Sequence, residues 1–304
     1  MENATFAVMV GRIGSFAKRV LKAFYDDQMT HHAAALTYYG LMSLFPALLL
    51  GISVLGLVGQ YPATYEALLS YLREVMPSSM LVAIDASVRG ALRSTGSAVT
   101  ALLVGILAAF YGTTGALEAA RRALNVSYET RERRGFVRRK ATDVGSTVVL
   151  MALVLVTLVL MFVGGGFAED VFGFIGLGST AATVWNIARW PGALAVAMLV
   201  FAWVYFVTPN VRQRGFKWIT PGAVIGVLIW VAASAVFFLY VSNFGRFNAV
   251  YGTFAAAVIL LVWVWISNVA LLLGAEINAE IEREKELDEG VPRARTLRMP
   301  RKGG

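Results

Sequence analysis

The sequence predicts an all-α polytopic membrane helix bundle: six transmembrane helices, an N-terminal amphipathic helix, and short amphipathic helices in the first outside loop. Three observations lead there. Hydrophobic residues make up 58% of the 304-residue chain and charged residues only 15%, against about 45–50% and 25% in soluble domains. Apolar runs recur that reach the roughly 20 residues a helix needs to cross a hydrocarbon core. The 27 lysines and arginines gather in alternate connecting segments, as the excess of positive charge in cytoplasmic loops requires.

The elements follow in chain order. In residues 4–25, Phe6, Val10, Ile13, Ala17, Val20 and Phe24 recur at helical spacing, with Arg12, Lys18, Arg19 and Lys22 on the other side. Such a basic amphipathic helix suits the inner-leaflet interface near anionic lipid. Packing of its apolar face on the bundle is an equal alternative, and both can hold. Met1 to Gly14 lacks the pattern of a cleaved signal peptide.

The spans are expected at 33–58, 97–117, 144–166, 187–207, 218–242 and 250–274. Pro46 should kink the first. Pro191 should occupy the first turn of the fourth, where its missing N–H costs nothing. Between spans, residues 59–96 carry two apolar stripes, Tyr65 to Met76 and Met80 to Ala91, read as short amphipathic helices outside. Residues 167–186 read as a flexible loop.

Orientation comes from the basic residues. The N-terminal segment, 121–140, 208–217 and the tail hold most of them. The alternate loops hold only Arg73, Arg89, Arg93, Arg189 and Arg246. Both termini are therefore expected in the cytoplasm. The organisation is a cytoplasmic helix over 1–30, a six-span domain over 31–282 and a basic, disordered tail over 283–304. The net charge of +8 is a topology signal before it is a sign of any nucleic-acid partner, and none is expected.

Polar groups in or near the spans give the candidate substrate- or lipid-binding residues: Tyr38, Tyr39, Ser43, Tyr111, Glu118, Arg121, Arg122, Asn268, Glu276 and Asn278. An amide in hydrocarbon without a partner costs about 2–7 kcal/mol. Asn268 must therefore face the bundle interior, as an interhelical hydrogen bond or as part of a substrate site. Glu118 and Glu276 sit at span ends, where charges pair, snorkel or mark a pathway. Arg121 and Arg122, one turn beyond Glu118, either anchor the helix end by pairing with it or bind a phosphate headgroup through paired hydrogen bonds. Small residues spaced by four, Ser43-Ala47-Gly51 and Gly222-Gly226, favour close helix packing.

Catalytic constellations are missing. There is no cysteine, and His31 and His32 are the only histidines. Neighbours on a helix point about 100° apart, so these two make no paired metal site. No Walker loop and no clustered carboxylates appear. No enzyme activity, cofactor or metal is expected.

The stretch Ala33-Ala34-Ala35-Leu36-Thr37-Tyr38-Tyr39, with Ser43-Leu44-Phe45-Pro46, resembles the opening signature of the YihY/BrkB family of bacterial inner-membrane proteins. So do Tyr251-Gly252-Thr253, Trp263 and Gly274-Ala275-Glu276-Ile277-Asn278, with Pro221-Gly222-Ala223 and Tyr240-Val241 between. The resemblance spans residues 20–285. It implies a six-span protein of the bacterial inner membrane, an envelope-integrity or virulence factor, with transport of lipid or another envelope component. An older label for such proteins, ribonuclease BN, conflicts with the missing catalytic groups. Two functions result: a flippase-like carrier of an amphipathic molecule such as an anionic lipid, or a non-transporting scaffold with envelope protein partners.

Overall fold

The computed structural model describes residues 2–57, 97–162, 178–211, 219–243 and 255–290. Among them there are seven helices and no strand: α1 (Glu2–Asp26), α2 (Met29–Leu57), α3 (Ser97–Ser127), α4 (Phe136–Phe162), α5 (Gly178–Val207), α6 (Pro221–Asn243) and α7 (Ala255–Asp288). Three of these contain stretches long and apolar enough to cross a membrane by length and composition: Thr180–Val207, Pro221–Ser242 and Ala257–Asp288. Pro221–Ser242 carries no charged residue, whereas Ala257–Asp288 runs on past its apolar part into a charged end from Glu276. The outside helices expected in 59–96, the segment 212–218 and the tail from residue 291 lie outside the described residues.

The described part of each expected span falls on a helix, but the helices overrun the expected ends. α3 continues well past residue 117, and α4 begins at Phe136. The basic stretch 121–140 is therefore mostly helical, with a connection only over 128–135. The fourth span needs a correction. α5 opens at Gly178, so Pro191 stands inside the helix and not in its first turn. Ala181, Ala182, Val184 and Ile187 carry the helix upstream of it. The amide hydrogen bond that proline removes is tolerated in membrane helices where neighbouring groups compensate. Part of the loop expected at 167–186 is thus the start of α5, and 163–177 lies outside the described residues.

Helix ends are set locally. Gln28 (φ 52°) and Glu129 (φ 48°) adopt the left-handed conformation. At the end of α3, the Thr130 N–H donates to the Asn125 carbonyl (2.8 Å) and the Glu129 N–H to Val126 (2.8 Å). This is the Schellman pattern, with Glu129 in the position glycine usually takes. Gly290 (φ 70°) takes it after α7.

The chain divides into two compact units. The first comprises Met1–His32, Ala120–Val231 and Val269–Gly304, the second Ala33–Ala119 and Ala232–Asn268. In the first, α7 is the common partner. Gly222 and Gly226 of α6 meet Gly274 of α7 backbone to backbone, the close approach their spacing predicts. The Tyr205 hydroxyl of α5 donates to the Leu271 carbonyl (2.6 Å). Val20, Ala23 and Phe24 of α1 are buried, and Arg19 Nε donates to Glu280 of α7 (2.6 Å), with Glu284 as a second partner. The C-terminal half of α1 thus packs on protein, while Ile13 is 60% exposed. In the second unit, α2 lies between α3 and α7. Gly112 and Gly115 of α3 abut Ser43 and Tyr39, and Gly40 faces Val264.

Candidate functional site

The ten expected residues fall into both units. Six lie in the second. Asn268 Nδ2 donates to Thr37 Oγ1 (3.1 Å), whose own hydroxyl donates to the Ala33 carbonyl (2.7 Å). The amide is satisfied between α7 and α2. Ser43 Oγ donates to the Gly40 carbonyl (2.8 Å), and its backbone lies so near α3 that a Cβ on Gly112 would approach Ser43 Cβ to 2.6 Å. Tyr39 lies against Gly115 in the same seam, its ring edge-on to Tyr38 at 5.3 Å. Tyr38 and Tyr111 point outward, 58% and 79% exposed. Glu118 is half-buried.

The other four lie in the first unit, where sequence neighbours separate. Arg121 is 3% exposed and pairs with Asp143, itself 2% exposed. Glu132 stands 3.7 Å from Arg121 Nε. Arg122 is exposed. The anchoring expected of Arg121 thus uses Asp143 and Glu132. A headgroup role for this side chain would require it to leave a buried carboxylate. Glu276, 1% exposed, accepts a hydrogen bond from Ser127 Oγ (2.7 Å). Asn278 caps α6: its Oδ1 accepts from the Gly222 N–H (2.9 Å) and its Nδ2 donates to Thr220 Oγ1 (3.0 Å). Thr220 Oγ1 in turn accepts from the Ala223 N–H (3.1 Å), a side-chain cap for an orphan donor.

The polar cluster extends beyond the expected residues. Arg134 donates to both oxygens of Glu132 (2.9 and 2.8 Å) and to the carbonyls of Val207 (3.3 Å) and Thr208 (2.8 Å). Asn125 Oδ1 accepts from the Asn210 N–H (2.7 Å), and Asn210 Nδ2 donates to the Arg131 carbonyl (2.9 Å). The ends of α3, α4 and α5 are joined through their connections. Sequence reasoning passed over Asp143, Glu132 and Asn210. A lone acid one residue before an apolar run was the available signal for Asp143, since such a charge needs a partner.

Two ionisations here are displaced. Burial pushes the Tyr128 phenol up, and the charges of Glu276 and Glu282 push it further. Burial acts to raise the Glu132 carboxyl, but the side-chain and backbone hydrogen bonds from Arg134 and the charges of Arg134 and Arg121 outweigh it, holding the group at about 2 against an ordinary 4.5. A depressed acid stabilises the fold above its unfolded value and loses that contribution as pH falls toward the folded one. Melting temperature in detergent should therefore decline more steeply below pH 4.5 in the wild type than in Glu132→Gln. Parallel profiles would refute the linkage.

A family model described as "Virulence factor BrkB" matches residues 20–298. The ribonuclease-like protein YfkH of Bacillus subtilis is 28% identical over 278 residues, 91% of this chain and 99% of the relative. A UPF0761 membrane protein of Pseudoalteromonas translucida is 29% identical over 281 residues, 87% of each chain. A UPF0761 membrane protein of Aeromonas salmonicida is 27% identical over 289 residues, 91% of this chain and 92% of the relative. No solved structure matches.

Proposed function

The chain belongs to the virulence factor BrkB family, and from that premise we propose that it is a six-span protein of the bacterial inner membrane, with both termini cytoplasmic, that carries an anionic lipid between leaflets without acting as an enzyme. One observation carries the reading: Tyr38 and Tyr111 are exposed on either side of the α2–α3 seam. On the expected spans they lie five and six residues, about 7.5 and 9 Å, inside the same hydrocarbon edge, at about 1.5 Å per residue. A phenol there needs a polar partner. Lipid tails supply none, whereas a passing headgroup or the water around it does. The name of one relative suggests ribonuclease chemistry, but no residue of this chain argues for it.

The test reconstitutes the full chain in vesicles containing fluorescent phosphatidylglycerol, with a membrane-impermeant quencher outside. Lipid is expected to cross faster than in protein-free vesicles. Tyr38→Ala with Tyr111→Ala should slow crossing by about tenfold or more, from two lost hydrogen bonds of about 1 kcal/mol each. Folded wild-type protein that leaves the rate at the protein-free value would replace this reading with the scaffold.

A further inference from the structure

α4 leaves two bulky apolar side chains uncovered before its apolar run begins. Phe136 and Val137 are 66% and 80% exposed. They precede Arg138-Arg139-Lys140, and the long apolar run starts only at Val144. Their position is fixed, because Arg134 and the Arg131 carbonyl tie the preceding connection to residues 207–210. Val137 does not stand alone. Residues 137, 141, 144, 148 and 151 step by four and three, which at about 100° per residue keeps them on one narrow face. All five are exposed, while Asp143, Ser146 and Thr147 on another face are buried. The outward stripe therefore runs unbroken from the first turn of α4 into its apolar run, over about 21 Å.

A face that meets lipid at Val144, Val148 and Met151 continues through Ala141 and Val137 with the same character. Arg138 and Lys140 stand on either side of it, and Arg131 and Arg133 are exposed in the connection before it. We propose that the first two turns of α4 dock in the headgroup layer of the bilayer and bind an anionic phospholipid. Val137 and Ala141 contact the upper acyl carbons, and Arg138 and Lys140 hold the phosphate. Arginine grips such an oxyanion with parallel hydrogen bonds, and lysine adds a point charge. The site rests on α4 crossing the membrane. It uses none of the residues of the α2–α3 seam, and its readout is lipid contact at one residue, independent of lipid movement.

Because the chain has no cysteine, Val137→Cys can carry one polarity-sensitive fluorophore. The full-length protein is placed in vesicles of phosphatidylcholine, alone or mixed with phosphatidylglycerol. Emission is expected at shorter wavelength than from the same label at Asp288→Cys, exposed at the end of α7. Phosphatidylglycerol should shift it further, less so at high salt. Arg138→Gln with Lys140→Gln should abolish that further shift and leave the melting temperature unchanged. Emission matching the Asp288→Cys label in both vesicles overturns the docking. Equal shifts in both vesicles that survive the double substitution overturn the anionic site. A shift that appears only when soluble cell protein is added assigns the strip to a protein partner and overturns it as well.

Discussion

Arg121→Gln should destabilise the protein by about 3–5 kcal/mol, the cost of leaving a buried charge without its partner. Asp143 is 2% exposed, and its ion pair is with Arg121. Losing the guanidinium forces the carboxylate either to stay charged in a poorly solvated place or to take up a proton. Asp143→Asn should cost less, because Arg121 keeps Glu132 at 3.7 Å. Replacing both, Arg121→Met with Asp143→Leu, should be milder than Arg121→Gln alone, since paired apolar replacements of a buried ion pair are often neutral. Arg122→Gln, one residue away and exposed, should fall within about 0.5 kcal/mol of wild type. Thermal unfolding of the four variants in detergent checks the order. If Arg121→Gln and Arg122→Gln melt alike, the pair at Arg121 is not buried in the working protein and its side chain returns to the list of headgroup ligands.

That contrast shows where sequence reading stops. Arg121 and Arg122 are identical in type and adjacent, and composition near a span end cannot say which one faces the core. The choice follows from the phase of α3 relative to α4, which puts Arg121 against the buried Asp143 and leaves Arg122 exposed. The helices were legible because a long apolar stretch reads as one whatever its neighbours. Their ends were not. The turns after residue 117 read as a basic loop, yet they stay helical because Arg121, Asn125 and Ser127 find partners in Asp143, Asn210 and Glu276. Pro191 misled for a similar reason: proline commonly opens a helix, but the small and apolar residues before it extend α5 upstream. Asn268 was half legible. Its need for a partner follows from its amide, whereas the identity of Thr37 depends on which helices are neighbours.

The glycine contacts of α6 and α7 permit a graded test of packing. At Gly222 an added Cβ would fall on the carbonyl oxygen of Gly274 and lie 2.6 Å from Asn278 Cγ. Neither is a flexible tip that can swing aside: one is backbone, and the other is the amide that caps α6 through the Gly222 N–H. Gly222→Ala therefore forces the helices apart and disturbs the cap. The expected cost combines about 1–3 kcal/mol of overpacking with about 0.5–2 kcal/mol for the cap, and Gly222→Leu should cost more. At Gly226 the new Cβ would stand 3.2 Å from the Phe201 ring and 3.3 Å from the Ala270 carbonyl, so Gly226→Ala needs only a small adjustment and should fall below Gly222→Ala. Gly145 of α4 has nothing within 4 Å of an added Cβ. Gly145→Ala should therefore stabilise the helix by about 0.5–1 kcal/mol through backbone entropy alone. The three alanine variants share one chemical change and differ only in surroundings, so propensity cannot produce the order. Melting temperatures in detergent should rank Gly145→Ala highest, then wild type, Gly226→Ala and Gly222→Ala. A Gly222→Ala protein as stable as wild type would mean that α6 and α7 do not approach through this glycine face.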